Sequence, residues 1–169
     1  MVIPILETDR LVLRPPCSDC ELAYQRFYTD GGASGMYGGP LTPVAAWARL
    51  ATDLGSWGLQ GFGVWAIRRK AEGDVVGVCG FWQGQGWPRE LTWWLLPHVR
   101  GLGLAKEASA AAVAHAYSVY GWPEVRTYMA DENEQARRLV LSLGGRKVGR
   151  ECFPDGLERD LYSIPPPGR

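Results

Sequence analysis

Histidine is scarce in this chain: His98 and His115 are the only two, too few for a histidine-rich metal site. Cysteine offers little more. Cys17 and Cys20 make one close pair, but no second pair and no neighbouring histidine complete a tetrahedral set, so no metal is expected. Net charge is missing as well, because 18 Lys plus Arg against 18 Asp plus Glu leave a formal balance of +0 and remove the electrostatic case for wrapping nucleic acid. Apolar runs are cut by charge or glycine well before they could span a bilayer, so no membrane segment is expected. Met1–Glu7 lacks the basic, apolar and small-residue succession of a secretory signal, which makes a cytoplasmic location the expectation.

What is present is globular. A chain of 169 residues with 46% hydrophobic and 21% charged side chains suits one domain, taken as residues 1–169. Eight tryptophans are many for that length, and Trp65, Trp82, Trp93 and Trp94 fall in strand-like runs. Such side chains fill a core, line a ligand groove or cover a subunit interface, so a homodimer is compatible with them.

Arg10–Arg14 alternates and is stopped by Pro15-Pro16, the mark of a first strand. Ser18 with Glu21 three residues on reads as a capping box opening a helix to about Phe27 or Tyr28. Five glycines between Asp30 and Pro40 argue against a helix and for a mobile loop; as a flap over an acceptor site it would bring Met36 and Tyr37 to the substrate. Thr42-Pro43 restarts a helix to about Ser56. Strands are expected at 63–69, 75–83 and 90–96, a long helix over 102–120 ending at Gly121, and a strand at 125–130. A helix over 133–143 stopped by Gly144-Gly145, then strands at 146–151 and 161–164, complete the order. The fold class is α/β (α+β), with a single mixed, mostly antiparallel sheet of about seven strands flanked by about four helices.

The most informative run is Leu95 to Ala108, an apolar strand end, a turn holding Arg100, Gly101 and Gly103, and a helix start. Free amides at a helix N-terminus beside glycines that admit close approach form an anion site. Neither the Walker lysine nor a three-glycine dinucleotide fingerprint accompanies it. A tight turn needs glycine in any case, so the turn by itself leaves both readings open.

Arg100-Gly-Leu-Gly-Leu-Ala105 resembles the Arg/Gln-x-x-Gly-x-Gly/Ala signature of the GNAT acetyltransferase superfamily, and Pro97 before it with Lys106-Glu107-Ala108 after it is similar to the RimJ/RimL-type branch. Thr8-Asp-Arg-Leu-Val-Leu-Arg14, Gly77-Val-Cys-Gly80, Glu90 to Pro97 and Asn133 to Gly144 resemble further segments of that branch, in the same order. The resemblance implies an acetyl-coenzyme A (acetyl-CoA) dependent N-acetyltransferase acting on a small-molecule amine or a peptide N-terminus. It implies that Leu95 and Leu96 lead into the cofactor turn and that Arg100, Gly101, Leu102, Gly103, Leu104 and Ala105 cradle the pyrophosphate. Asn133 would order the pantetheine side.

Two positions depart from that pattern: Val140 stands where many relatives have a tyrosine acid, and Ala136 where serine is common. An amine acceptor must lose a proton before it attacks, and Glu90, His98 and Asp131 are the candidates for removing it. Glu90 shares a strand face with Trp94, which together with Trp82 is expected to line the acceptor groove. Asp53, Asp74, Glu90 and Asp131 would form an acidic cleft for a polycation only if the fold gathers them. Two alternatives stay open: a domain that binds acetyl-CoA without turnover, and a transferase for another acyl group.

Overall fold

The computed structural model describes residues 1–168. Alternation in β2 (Leu11–Arg14) buries Leu11 and Leu13 completely on one face, and this strand pairs with the short β1 (Leu6–Glu7) and with β3 (Val64–Arg69). Next come β4 (Val75–Trp82) and β5 (Glu90–Leu95), giving a five-stranded antiparallel sheet in the order β1-β2-β3-β4-β5. β4 depends on two glycines. A Cβ on Gly77 would stand 2.1 Å from the Trp94 carbonyl oxygen, and one on Gly80 would stand 2.4 Å from that of Gly63.

A second antiparallel sheet holds β6 (Val125–Met129), β7 (Arg146–Cys152) and β8 (Glu158–Ile164) in the order β6-β8-β7. The mixed α/β class therefore stands, but the eight strands divide into two sheets instead of one sheet of about seven. The division falls between β5 and β6, which form no ladder; a side chain links them, Thr127 Oγ1 donating to the Leu91 carbonyl at 2.8 Å.

Five α-helices cover the sheets: α1 (Glu21–Tyr28), α2 (Gly31–Ser34), α3 (Pro43–Gln60), α4 (Leu104–Ser118) and α5 (Glu134–Ser142). Three expectations need correction. Residues Ser18–Cys20 are a 3₁₀ turn capped by an extended Cys17, so the Ser18–Glu21 capping box is not formed and α1 starts at Glu21. The glycine-rich stretch is ordered, since the Asp30 side chain accepts from the amides of Gly32 at 2.8 Å and Ala33 at 3.2 Å. That cap offsets the poor helix propensity of glycine and produces α2, followed by a 3₁₀ turn at Gly35–Tyr37. Finally α4 begins at Leu104, two residues later than expected, because Gly101 and Gly103 take φ of 79° and 78°.

Trp57, Trp65 and Trp94 are buried, while Trp82, Trp87, Trp93 and Trp122 are half-buried and Trp47 is exposed. Among the described residues no helix is long and apolar enough to cross a membrane.

Candidate active site

Because β5 and β6 lie side by side without a ladder, a cavity of about 440 Å³ opens with both strands in its wall. Glu90, at the start of β5, is half-buried and enclosed on that wall. Burial pushes its carboxyl up to about 8, opposed by the Tyr128 hydroxyl and by the positive charge of Arg159. The Tyr128 hydroxyl lies against this carboxylate but is buried and forms no well-aligned hydrogen bond to any protein group. A second acid faces the same cavity from α3. Asp53 is raised to about 6 by burial, against the hydrogen bond that Tyr24 donates to its Oδ2 at 2.7 Å and the charge of Arg49.

The aromatic wall is only partly free to touch a ligand. Trp94 lines the cavity, but its ring is stacked on Phe27 at 4.1 Å and is nearly all core. Trp82 is half-buried and packs edge-on against Trp87 at 5.9 Å. Tyr37 donates its hydroxyl to the Trp93 carbonyl at 2.5 Å, which pins the 3₁₀ turn to β5; Met36 beside it remains 49% exposed. Both line the cavity, so the glycine-rich stretch forms part of its wall, as a fixed element.

At the far end of β5 the chain enters the glycine turn. Gly103 caps α4 in the left-handed conformation with no side chain capping the helix, and the first intrahelical bond runs from the Glu107 amide to the Gly103 carbonyl at 3.1 Å. The amides of Leu104, Ala105 and Lys106 are thus left without helical partners. Open space lies beside Gly101, where a Cβ would meet nothing within 4 Å, and Leu102 is exposed. These are the features an anion cradle requires.

Other expected contributors are engaged elsewhere. Arg100 folds back, its Nε donating to the Leu95 carbonyl at 3.1 Å and its Nη2 to that of Ala33 at 3.3 Å, so it braces the turn against α2. Leu95 and Leu96 are buried, and the Leu96 amide already donates to Val76 at 2.8 Å. Asn133 caps α5 by accepting from the Ala136 amide at 3.2 Å, and it also lines the cavity.

Of the three acid–base candidates only Glu90 reaches the cavity. His98 is exposed in the 3₁₀ turn Pro97–Val99, away from the cavity wall. Asp131 is exposed and bound through both oxygens to Arg150 at 2.9 Å each, and those bonds hold its pKa below the usual range. Nor does a full acidic cleft assemble, since Asp74 is tied to Arg69 at 2.7 Å and only Asp53 and Glu90 share the cavity. Tyr128, Arg159 and Arg49 were not singled out from the sequence, because nothing in their local pattern says that β6, β8 and α3 would share a cavity with β5.

Residues 10–146 match the family described as acetyltransferase (GNAT) domain. The chain belongs to the GNAT acetyltransferase family. An uncharacterized N-acetyltransferase, YoaA, of Bacillus subtilis (strain 168) is 27% identical over 98% of this chain and 99% of its own. An acetyltransferase structure from Agrobacterium tumefaciens str. C58 superposes with a TM-score of 0.87 at 28% identity, covering 98% of this chain and 96% of that one. A ribosomal-protein-S5-alanine acetyltransferase from Vibrio fischeri shares the fold, with a TM-score of 0.73 at 14% identity over 98% of each chain.

In this GNAT acetyltransferase the position of the missing tyrosine is closed. Val140 is fully buried, and a Cβ on Gly145 would stand 2.5 Å from its Cγ1. Gly145 thus packs directly on Val140, with no room for a side chain between them.

Proposed function

We propose that this acetyltransferase transfers the acetyl group of acetyl-CoA to a primary amine, either a small-molecule amine or a peptide N-terminus, by direct attack in a ternary complex. The observation that carries the reading is Glu90, an enclosed carboxylate raised to about 8 on a cavity whose strand leads straight into the uncapped N-terminus of α4. The free amides at Leu104–Lys106 and the open side of Gly101 fit a pyrophosphate.

Acetyl-CoA, when bound, supplies the activated thioester. Glu90 takes a proton from the acceptor ammonium, directly or through a water, because an alkyl ammonium near pKa 10 is not nucleophilic. The amine nitrogen then bonds to the acetyl carbonyl carbon as the carbon–sulfur bond breaks. The nitrogen sheds its second proton to solvent, and the sulfur leaves as thiolate that is protonated from solvent, Val140 offering no acid there.

Calorimetric titration with acetyl-CoA, followed by thiol-release assays over an amine panel, tests this. Binding with turnover that drops on Glu90→Gln supports the reading. Binding without turnover of any amine would assign the domain to a non-catalytic binder, the alternative that Val140 favours.

A further inference from the structure

Two guanidinium groups line the cavity, and they differ in what holds them. Arg159 is committed: it donates to Asp155 Oδ1 at 2.9 Å and Oδ2 at 2.6 Å, and its Cζ lies 5.2 Å from the Phe153 ring centre. Arg49 is half-buried on α3 and, among the described residues, makes no ion pair and no hydrogen bond. Its Cζ lies 5.4 Å from the centre of the Tyr28 ring, another cavity residue. The carboxylate one turn along, Asp53, is occupied by the Tyr24 hydroxyl and lies beyond the 4.0 Å ion-pair distance from Arg49.

A guanidinium carries five donors in a planar fork and no acceptor, so an unpaired one facing a cavity is suited to an oxyanion, which it grips through two parallel bonds. The same cavity is lined by the Glu90 carboxyl and the rings of Trp82, Trp87, Trp93 and Tyr128. The cavity volume, about 440 Å³, is that of a small-molecule site. We propose that the acceptor is an alkyl amine that carries an aromatic ring and an anionic group, a carboxylate or a phosphate, and that Arg49 binds this anion while the amine faces Glu90. The inference rests on the acetyl-transfer reading above and deepens it. An aromatic α-amino acid carries all three parts, whereas a peptide N-terminus has an amide in place of the anion.

Matched substrates test it. With acetyl-CoA present, kcat/KM should favour tryptophan over tryptamine and phenylalanine over phenethylamine by about 10- to 100-fold, the range of a charged hydrogen-bonded pair. Tyramine phosphate against tyramine forms the phosphate arm and shows which oxyanion is preferred. In Arg49→Met the ratios should collapse toward one, and Arg49→Lys should restore part of them.

A binding measurement keeps the site separate from the chemistry. Calorimetry with 3-phenylpropionate, which has the anion and no amine, should give heat with the wild type and none with Arg49→Met, while 3-phenylpropanamide binds neither. If phenylpropionate binds through Arg49 but no amine is acetylated, the anion site stands and the transferase reading falls. If amines are acetylated with ratios near one in both proteins and phenylpropionate ignores Arg49, the anion site is overturned.

Discussion

Arg10 clamps Glu107 across the glycine turn: its Nε donates to Glu107 Oε2 at 2.7 Å and its own backbone amide donates to Oε1 at 2.9 Å. The same guanidinium donates through Nη1 to the Leu102 carbonyl at 2.9 Å, inside the glycine turn, and Thr8 adds a bond to Glu107 Oε1 at 2.6 Å. Burial acts to raise the Glu107 pKa, but these hydrogen bonds outweigh it and hold the carboxylate below its usual range. The opening strand segment and the first turn of α4 are thereby fixed to each other. Arg10→Met should weaken acetyl-CoA binding about 10-fold by loosening the turn, measured by calorimetry on a folded variant. Lysine cannot hold both acceptors in that fork, so Arg10→Lys should recover little of the affinity.

Gly103 sits at φ 78° with no neighbour beside its Cβ direction except Arg10 Nη2 at 3.5 Å. The obstacle to a side chain is therefore backbone strain in the left-handed region together with the phosphate that would approach there. Gly103→Val should reduce acetyl-CoA affinity more than tenfold and cost about 1–2 kcal/mol of stability. An unaltered titration curve would remove the pyrophosphate from this turn.

Two pH dependences are expected of Glu90 if it is the base proposed above. As the base it must be ionised, so kcat/KM at saturating acetyl-CoA should fall as pH drops below about 8. Glu90→Gln should lose about 10²- to 10⁴-fold in rate together with that acidic limb. Asp131→Asn, at a pair outside the cavity, should leave both the rate and the profile as they are. For stability, a pKa raised above the ordinary value of 4.5 means the native state holds the proton more tightly than the unfolded chain. That contribution is complete below about 4.5 and lost as pH rises through about 8, so Glu90→Gln should melt well above wild type at high pH and match it in acid.

Asn133 has a cap to lose as well as a place on the cavity wall. Asn133→Ala should cost about 0.5–2 kcal/mol in thermal unfolding, while Asn133→Asp keeps the cap. If Asn133 also orders the pantetheine arm, Asn133→Asp should raise the apparent KM for acetyl-CoA at an unchanged melting temperature. A normal KM in that variant assigns Asn133 to capping alone.

Local chemistry in the sequence determined the element order, the glycine turn before α4 and the candidacy of Glu90, because strand alternation, proline stops and caps act between residues a few positions apart. It misread Asp30–Pro40 for an instructive reason: glycine propensity argued for a loop, and one aspartate cap plus the Tyr37 bond to Trp93 decided otherwise. Tertiary structure alone decided that β5 and β6 part, and with that the cavity, the placement of His98 and Asp131 outside its lining, the arrival of Tyr128 and Arg159 beside Glu90, and that of Arg49 on the same cavity. Its control over Glu90 is physical. The pKa of a carboxylate depends on the solvent and charge around it, and here those come from strands and helices far away in the chain.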